Sequence, residues 1–229
     1  MNDIEKKERK VQRAYRQLGN IARLYDGMMT NTSWAGRFAI RWLWGFASYP
    51  EFLAMAYRGL PADFCGRLLE VPVGTGVLSF PHYEKMKEAQ ITCLDASETM
   101  LEAAKKHAAN FSLGATDFAL GDVGDLQYAD ETFDFVLSVN GFHAFPEKEK
   151  AYRETERVLK RGGIFSGSMY VRGKSRRTDF FVKQFCERRG FFSPPYETEE
   201  SLRARLQAMY GEVDIMTIGS FAGFRCKKI

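Results

Sequence analysis

Only four cysteines occur in the chain, Cys65, Cys93, Cys186 and Cys226, and no two form a Cys-x-x-Cys pair. The three histidines, His82, His107 and His143, fall at no zinc-ligand spacing. A zinc site is therefore not expected, and no metal is assigned. Scattered free thiols point to a reducing compartment, so the expected location is cytoplasmic. Charge of one sign is also lacking: 33 Lys and Arg stand against 29 Asp and Glu, a net +4. That balance demands no nucleic-acid partner, and none is expected. Long apolar runs are missing too. The most apolar window, 34–57, is interrupted by Arg37, Arg41, Pro50 and Glu51, which makes it a poor spanning helix. The opening MNDIEKKERKVQR has no apolar stretch behind it, so a signal peptide is not expected. Repeats and low-complexity segments are absent.

What is there fits one globular domain with a small accessory segment. A chain of 229 residues with 45% hydrophobic and 27% charged content can bury a sizeable core. Residues 4–24 read as a charged helix, and 34–58 as one or two helices rich in Trp and Phe. From about residue 66, short apolar runs alternate with amphipathic stretches, the pattern of βα units. Strands are expected at 67–73, 91–96, 117–123, 133–140 and 163–171. Helices are expected at 76–88, at 97–110 behind a serine cap, at 147–160 with a glycine stop in Arg161-Gly162-Gly163, and at about 176–189 and 198–209. Near-continuous apolar strands between helices imply a parallel sheet covered on both faces. Residues 212–228 read instead as two strands joined at Gly219-Ser220, an antiparallel hairpin.

In an open parallel sheet, ligands bind beyond the carboxyl ends of the strands. The first strand ends in LLEVPVGTG (68–76): Glu70, then Gly74-Thr75-Gly76. Glycines there let backbone N–H groups approach a ligand at the start of the next helix. The second strand ends in Asp95, placed where an acid can grip ribose hydroxyls. The third ends in Gly121-Asp122-Val123, the fourth in Asn140-Gly141-Phe142-His143. Each feature alone is a common turn or cap; four at successive strand ends point to a cofactor. A nicotinamide dinucleotide and S-adenosylmethionine both fit a GxG-plus-acid layout. Asp122 beside Val123 suits an adenine edge, and no Tyr-x-x-x-Lys hydride-transfer pair follows.

Over roughly residues 20–229 the sequence resembles the class I S-adenosylmethionine-dependent methyltransferases. LLEVPVGTG, the D-x-S-x-x-M-L run at 95–101, ALGDVGDLQYADETFDFVLSVNGFH and the R-V-L-K-x-G-G run at 157–163 carry the resemblance. The stretch from Asp134 to Gly163 and the early IARLYDGMM (21–29) are most similar to the ubiquinone/menaquinone C-methyltransferase branch. The resemblance implies a Rossmann-like, seven-stranded, mostly parallel α/β sheet with a C-terminal antiparallel hairpin. It has helices on both faces and a helical lid over 1–60 on a core over 61–229. It implies S-adenosylmethionine as cofactor, with Glu70 and the backbone of Gly74, Thr75 and Gly76 at its methionine part. Asp95 would bind the ribose, Ala96 and Met100 would flank the adenine, and Asp122 and Val123 would bind its edge. Tyr25 would close over the methionine end, and Asn140 would face the sulfonium. Two departures stand out. Pro72 replaces the first glycine of the usual acid-x-Gly-x-Gly-x-Gly, bracing the strand exit without an N–H. The residues after the fourth strand, NGFHAF, do not keep the branch's substrate residues, so quinone methylation is not inherited.

The expected activity is methyl transfer to a small, apolar or aromatic molecule by a monomer or homodimer. A cofactor-binding protein of the same fold without transfer is the alternative, and a nicotinamide oxidoreductase a distant third. His143, at a ligand-facing strand end, is the candidate general base; its plainer role is packing. His82 and His107 read as surface helix residues. The N-terminal aromatics Trp34, Phe38, Trp42, Trp44, Phe46 and Tyr49 read as helix packing first, then as an acceptor pocket, and last as a membrane-surface contact. The basic run Arg172, Lys174, Arg176 and Arg177 reads as a solvated loop, with contact to an acidic substrate or RNA as the alternative. Ser193-Pro194-Pro195-Tyr196 has the form of an amino-methyltransferase motif but lies after a later helix, and reads as a turn.

Overall fold

The computed structural model describes residues 39–45 and 49–229. The expected helix at 4–24, most of the expected lid, and Tyr25, Trp34, Phe38 and Phe46 lie outside the described residues. The expected helices at 34–58 are represented there by a wide-turned segment, Ala39–Trp44, and by α1 (Tyr49–Ala56).

Seven strands follow: β1 (Gly66–Glu70), β2 (Ala89–Asp95), β3 (Ala115–Leu120), β4 (Phe133–Val139), β5 (Leu159–Tyr170), β6 (Glu212–Ile218) and β7 (Phe221–Lys227). They form one sheet in the order β3-β2-β1-β4-β5-β7-β6. β1 to β5 pair in parallel, while β7 runs antiparallel to both β5 and β6. Interleaved are α2 (Phe80–Tyr83), α3 (Glu98–Ala108), α4 (Lys148–Val158), α5 (Arg176–Phe181) and α6 (Glu199–Met209). α5 runs on through a wider turn, Val182–Cys186, and a last α turn, Glu187–Arg189.

Successive residues of β1 serve opposite faces, as pleating requires. Leu68 packs with Ile91, Leu101, Ala104 and Leu137 under α3. Leu69 packs with Val136, Tyr152, Phe165 and Leu206 under α4 and α6. Each large side chain buried this way contributes about 1.5–3 kcal/mol. The doubly covered sheet that the near-continuous apolar strands imply is present. Among the described residues, no helix is long and apolar enough to cross a membrane.

Two expected helices differ. The one at 76–88 is reduced to α2, a single turn with proline in its first positions. Tight turns before it use up the chain: Gly76 N–H donates to Val73 O, and Ser79 and Phe80 N–H both donate to Gly76 O. α4 ends at Val158, before its expected glycine stop, and β5 begins at once, with Gly162 and Gly163 inside it. The last carbonyls of α4 are taken from outside: Glu131 N–H donates to Arg157 O and Thr132 N–H to Val158 O. With those acceptors satisfied, Leu159 turns extended and pairs with Phe133.

Candidate cofactor site

A cavity of about 280 Å³ opens at the carboxyl ends of β1 to β4. It straddles the gap between β1 and β4, where the strand order reverses direction. The loop after β1 forms its floor. Val71 N–H donates to Leu137 O of β4, and Val73 N–H to Leu94 O of β2, both at 2.9 Å. Pro72 sits between these two bonds, so its missing N–H leaves both neighbouring strands joined to the loop.

Gly74 and Gly76 both have positive φ, +58° and +71°, the region where a Cβ is strained. They serve different purposes. A Cβ on Gly74 would meet no heavy atom within 4 Å, because Gly74 faces the cavity. A Cβ on Gly76 would lie 2.1 Å from the ring of Phe80, which is packed beneath the loop. One glycine leaves room for a ligand; the other leaves room for the core.

Asp95, at the end of β2, is buried and ties the loop to α3. Its Oδ2 accepts the Gly74 N–H at 2.9 Å and its Oδ1 the Ser97 N–H at 2.8 Å. Burial raises its pKa to about 6 against the pull of those N–H groups. Each oxygen keeps acceptor capacity. Ser97 also caps α3, accepting the Met100 N–H. This sets Met100, fully buried, against the cavity beside exposed Ala96.

Glu70 lies deeper, only 2% exposed. Its Oε2 accepts the Tyr83 hydroxyl at 2.8 Å. Burial pushes its pKa up to about 8; hydrogen bonds from Ser79 and Tyr83 pull it down, and the Asp95 charge pushes it up. Asp122 is exposed at the mouth, where its Oδ1 accepts the Gly124 N–H at 2.8 Å in a tight turn. Val123 beside it is buried and lines the cavity. Asn140 closes the β4 side with φ +57°, unusual outside glycine. Its N–H donates to Ser168 O at 2.8 Å, and its Oδ1 accepts the Ser168 hydroxyl at 3.1 Å.

Glu70, Gly74, Thr75, Gly76, Asp95, Ala96, Met100, Asp122, Val123 and Asn140 thus border one cavity. His143 does not border it. It is 4% exposed, its Nδ1 accepts the Tyr170 N–H at 3.1 Å, and its ring lies 3.9 Å from that of Phe192. Burial, with the Lys148 charge nearby, depresses its pKa to about 3. The expectation of a ligand-facing base is corrected: the loop after β4 turns this ring into the aromatic core. His82 and His107, expected as surface helix residues, lie on helices but are half-buried. His82 stacks on Tyr57 at 4.1 Å. His107 Nδ1 lies 3.2 Å from Thr75 O and its ring packs beside Phe80, propping the glycine loop from below.

Sequence reasoning missed the cavity's apolar walls: Leu120, and Ala144-Phe145-Pro146 after β4. The signal was local, since these residues adjoin the motifs at 121–123 and 140–143. It also kept the 193–196 segment apart from the fourth strand. In space the two meet: Ser193 N–H donates to His143 O at 2.9 Å, and the buried Lys148 ammonium donates to Phe145 O at 2.9 Å and to Ser193 O. The segment is a loop, and its role is to buttress the wall that Phe145 carries.

The donor set suits S-adenosylmethionine. Open space at Gly74, two acids at neighbouring strand ends and apolar walls match a ligand with a charged end, a ribose and a flat ring. Comparisons with known proteins agree. Residues 69–166 match the model of a methyltransferase domain. The demethylmenaquinone methyltransferase of Thermotoga maritima is 35% identical over 97 residues, 42% of this chain and 40% of that protein. The chain therefore spans well under two thirds of that relative. Among solved structures, a S-adenosylmethionine-dependent methyltransferase of Thermotoga maritima, described as a possible histamine N-methyltransferase, superposes with a TM-score of 0.66 at 22% identity. That match covers 94% of this chain and 100% of that one. Phosphoethanolamine N-methyltransferase 2 of Haemonchus contortus, solved with S-adenosylmethionine, gives 0.64 at 18% identity over 85% of this chain and 57% of that one. At these identities the structural matches establish the fold.

Proposed function

We propose that this chain, whose core is a class I S-adenosylmethionine-dependent methyltransferase domain, methylates a small apolar or aromatic acceptor and leaves S-adenosylhomocysteine. The observation that carries the reading is the meeting of the Gly74–Gly76 loop, Asp95 and Asp122 around one cavity. When bound, the cofactor would supply an electrophilic methyl group carried on a sulfonium sulfur.

In this reading Gly74 to Gly76 and Glu70 receive the methionine end, Asp95 receives the ribose hydroxyls, and Ala96 and Met100 flank the adenine. Asp122 and Val123 read the adenine edge. Asn140 faces the reacting methyl, its amide held by Ser168. Residues 1–60, Tyr25 included, act as a lid. The acceptor lies against Phe145, on the Asn140 side of the cavity, which favours a molecule with an apolar face; the demethylmenaquinone of the named relative is of that class. The protein's contribution is alignment and exclusion of water rather than proton abstraction by His143, which is neutral and packed away. A reducing, cytoplasmic setting fits the free thiols.

Formation of S-adenosylhomocysteine should be followed with a panel of hydroquinones, phenols and amines. The reading expects product that depends on an apolar or aromatic acceptor. Tight cofactor binding with no acceptor-dependent product across the panel would mark a binding protein instead.

A further inference from the structure

The segment from Arg172 to Arg189 holds seven basic residues and two acidic ones. Both acids are engaged locally. Asp179 accepts the Tyr170 hydroxyl at 2.6 Å and the Gly173 N–H at 3.1 Å, and Glu187 accepts the Tyr196 hydroxyl at 3.4 Å. Lys174 pairs with Glu199. The remaining cations, Arg172, Arg176, Arg177, Lys183, Arg188 and Arg189, are exposed.

Among these cations are two large apolar side chains with exposed surface. Phe180 is 67% exposed and Trp42 is 49% exposed. Arg176, Phe180 and Lys183 fall at i, i+4 and i+7, one stripe of the helix. The Arg177 guanidinium lies 4.2 Å over the Trp42 ring, which fixes that indole beside the stripe. α5 begins six residues beyond β5, on the same carboxyl-end side of the sheet as the cavity.

Exposed aromatics ringed by Arg and Lys are the makeup of a helix that lies in a lipid–water interface. The cations meet anionic headgroups, and the rings enter the acyl boundary. A nucleic acid fits less well, because the guanidinium covers a face of Trp42 on which a base would stack. We propose that Arg176, Phe180 and Lys183, with the Arg177–Trp42 pair beside them, dock this protein on an anionic bilayer surface. The inference stands apart from the methyl-transfer reading, because nothing in it uses the cofactor.

The test is cosedimentation of the full chain with phosphatidylcholine vesicles, with and without phosphatidylglycerol. Three variants accompany it: R176E/K183E, F180S and, as a control on α3, K105E/K106E. All five residues are exposed, and unchanged thermal midpoints would verify the fold. Binding should require phosphatidylglycerol, weaken with salt and fall about tenfold or more in R176E/K183E. F180S should weaken it with salt dependence retained, and the α3 control should bind like wild type. Absence of binding to anionic vesicles, equal loss in the α3 control, or vesicle binding abolished by a stoichiometric single-stranded RNA would overturn the proposal.

Discussion

Glu70 shows how one residue links burial to behaviour in solution. Its pKa in the folded protein is raised from 4.5 to about 8 by loss of water. The folded chain therefore holds this proton more tightly than the unfolded chain does. Its stabilising contribution is complete below about pH 4.5 and is lost as pH rises through about 8. Asp95, raised to about 6, acts in the same direction at lower pH. His143 acts oppositely: its folded pKa is depressed to about 3, so its contribution is present above about pH 6.5 and lost on acidification. Between about pH 6.5 and 8 Glu70 is the group of these three that still titrates. Stability of the empty protein should fall by about 1–2 kcal/mol across that window. Urea unfolding at pH 6.5 and 8 checks this. The Glu70→Gln variant should show a flatter profile, and equal slopes in the two proteins would refute the assignment.

At the scale of elements, the loop between β1 and α2 separates binding from stability. Ala at position 74 enters open space at φ +58°, a backbone strain of about 1 kcal/mol, and intrudes on the cavity. Ala at position 76 drives a methyl into Phe80 as well as straining the chain, and should cost about 2–4 kcal/mol. Gly74→Ala should therefore lose most cofactor affinity while unfolding nearly like wild type, and Gly76→Ala should unfold early; denaturant midpoints read beside cofactor titrations decide it. This loop was legible in LLEVPVGTG, because an apolar run, an acid and paired glycines are local signals. So were β1 to β5, from their short apolar runs between helices, and the β6–β7 hairpin, from the turn at Gly219-Ser220. The fate of His143, His107 and Ser193 was not legible. His107 meets Thr75 across 32 residues and Ser193 meets His143 across 50, and such partners are chosen by tertiary packing. The end of α4 was misread for the same reason: its last carbonyls are satisfied by a distant loop, not by the glycines that follow.

For the whole molecule, the strand order 3-2-1-4-5-7-6 puts the ends of β1, β2 and β3 on one side of a crevice and that of β4 on the other. Motifs 18 to 66 residues apart, from Gly74 through Asp95 and Asp122 to Asn140, become the walls of one cavity. The most direct measurement is calorimetric titration of the full chain with S-adenosylmethionine, S-adenosylhomocysteine and NADH, repeated on Asp95→Ala and Asp95→Asn. Both sulfur nucleotides should bind, NADH should not, and both variants should lose about tenfold or more in affinity while remaining folded. Binding of NADH in place of the sulfur nucleotides, or unchanged affinity in the folded Asp95 variants, would contradict the account.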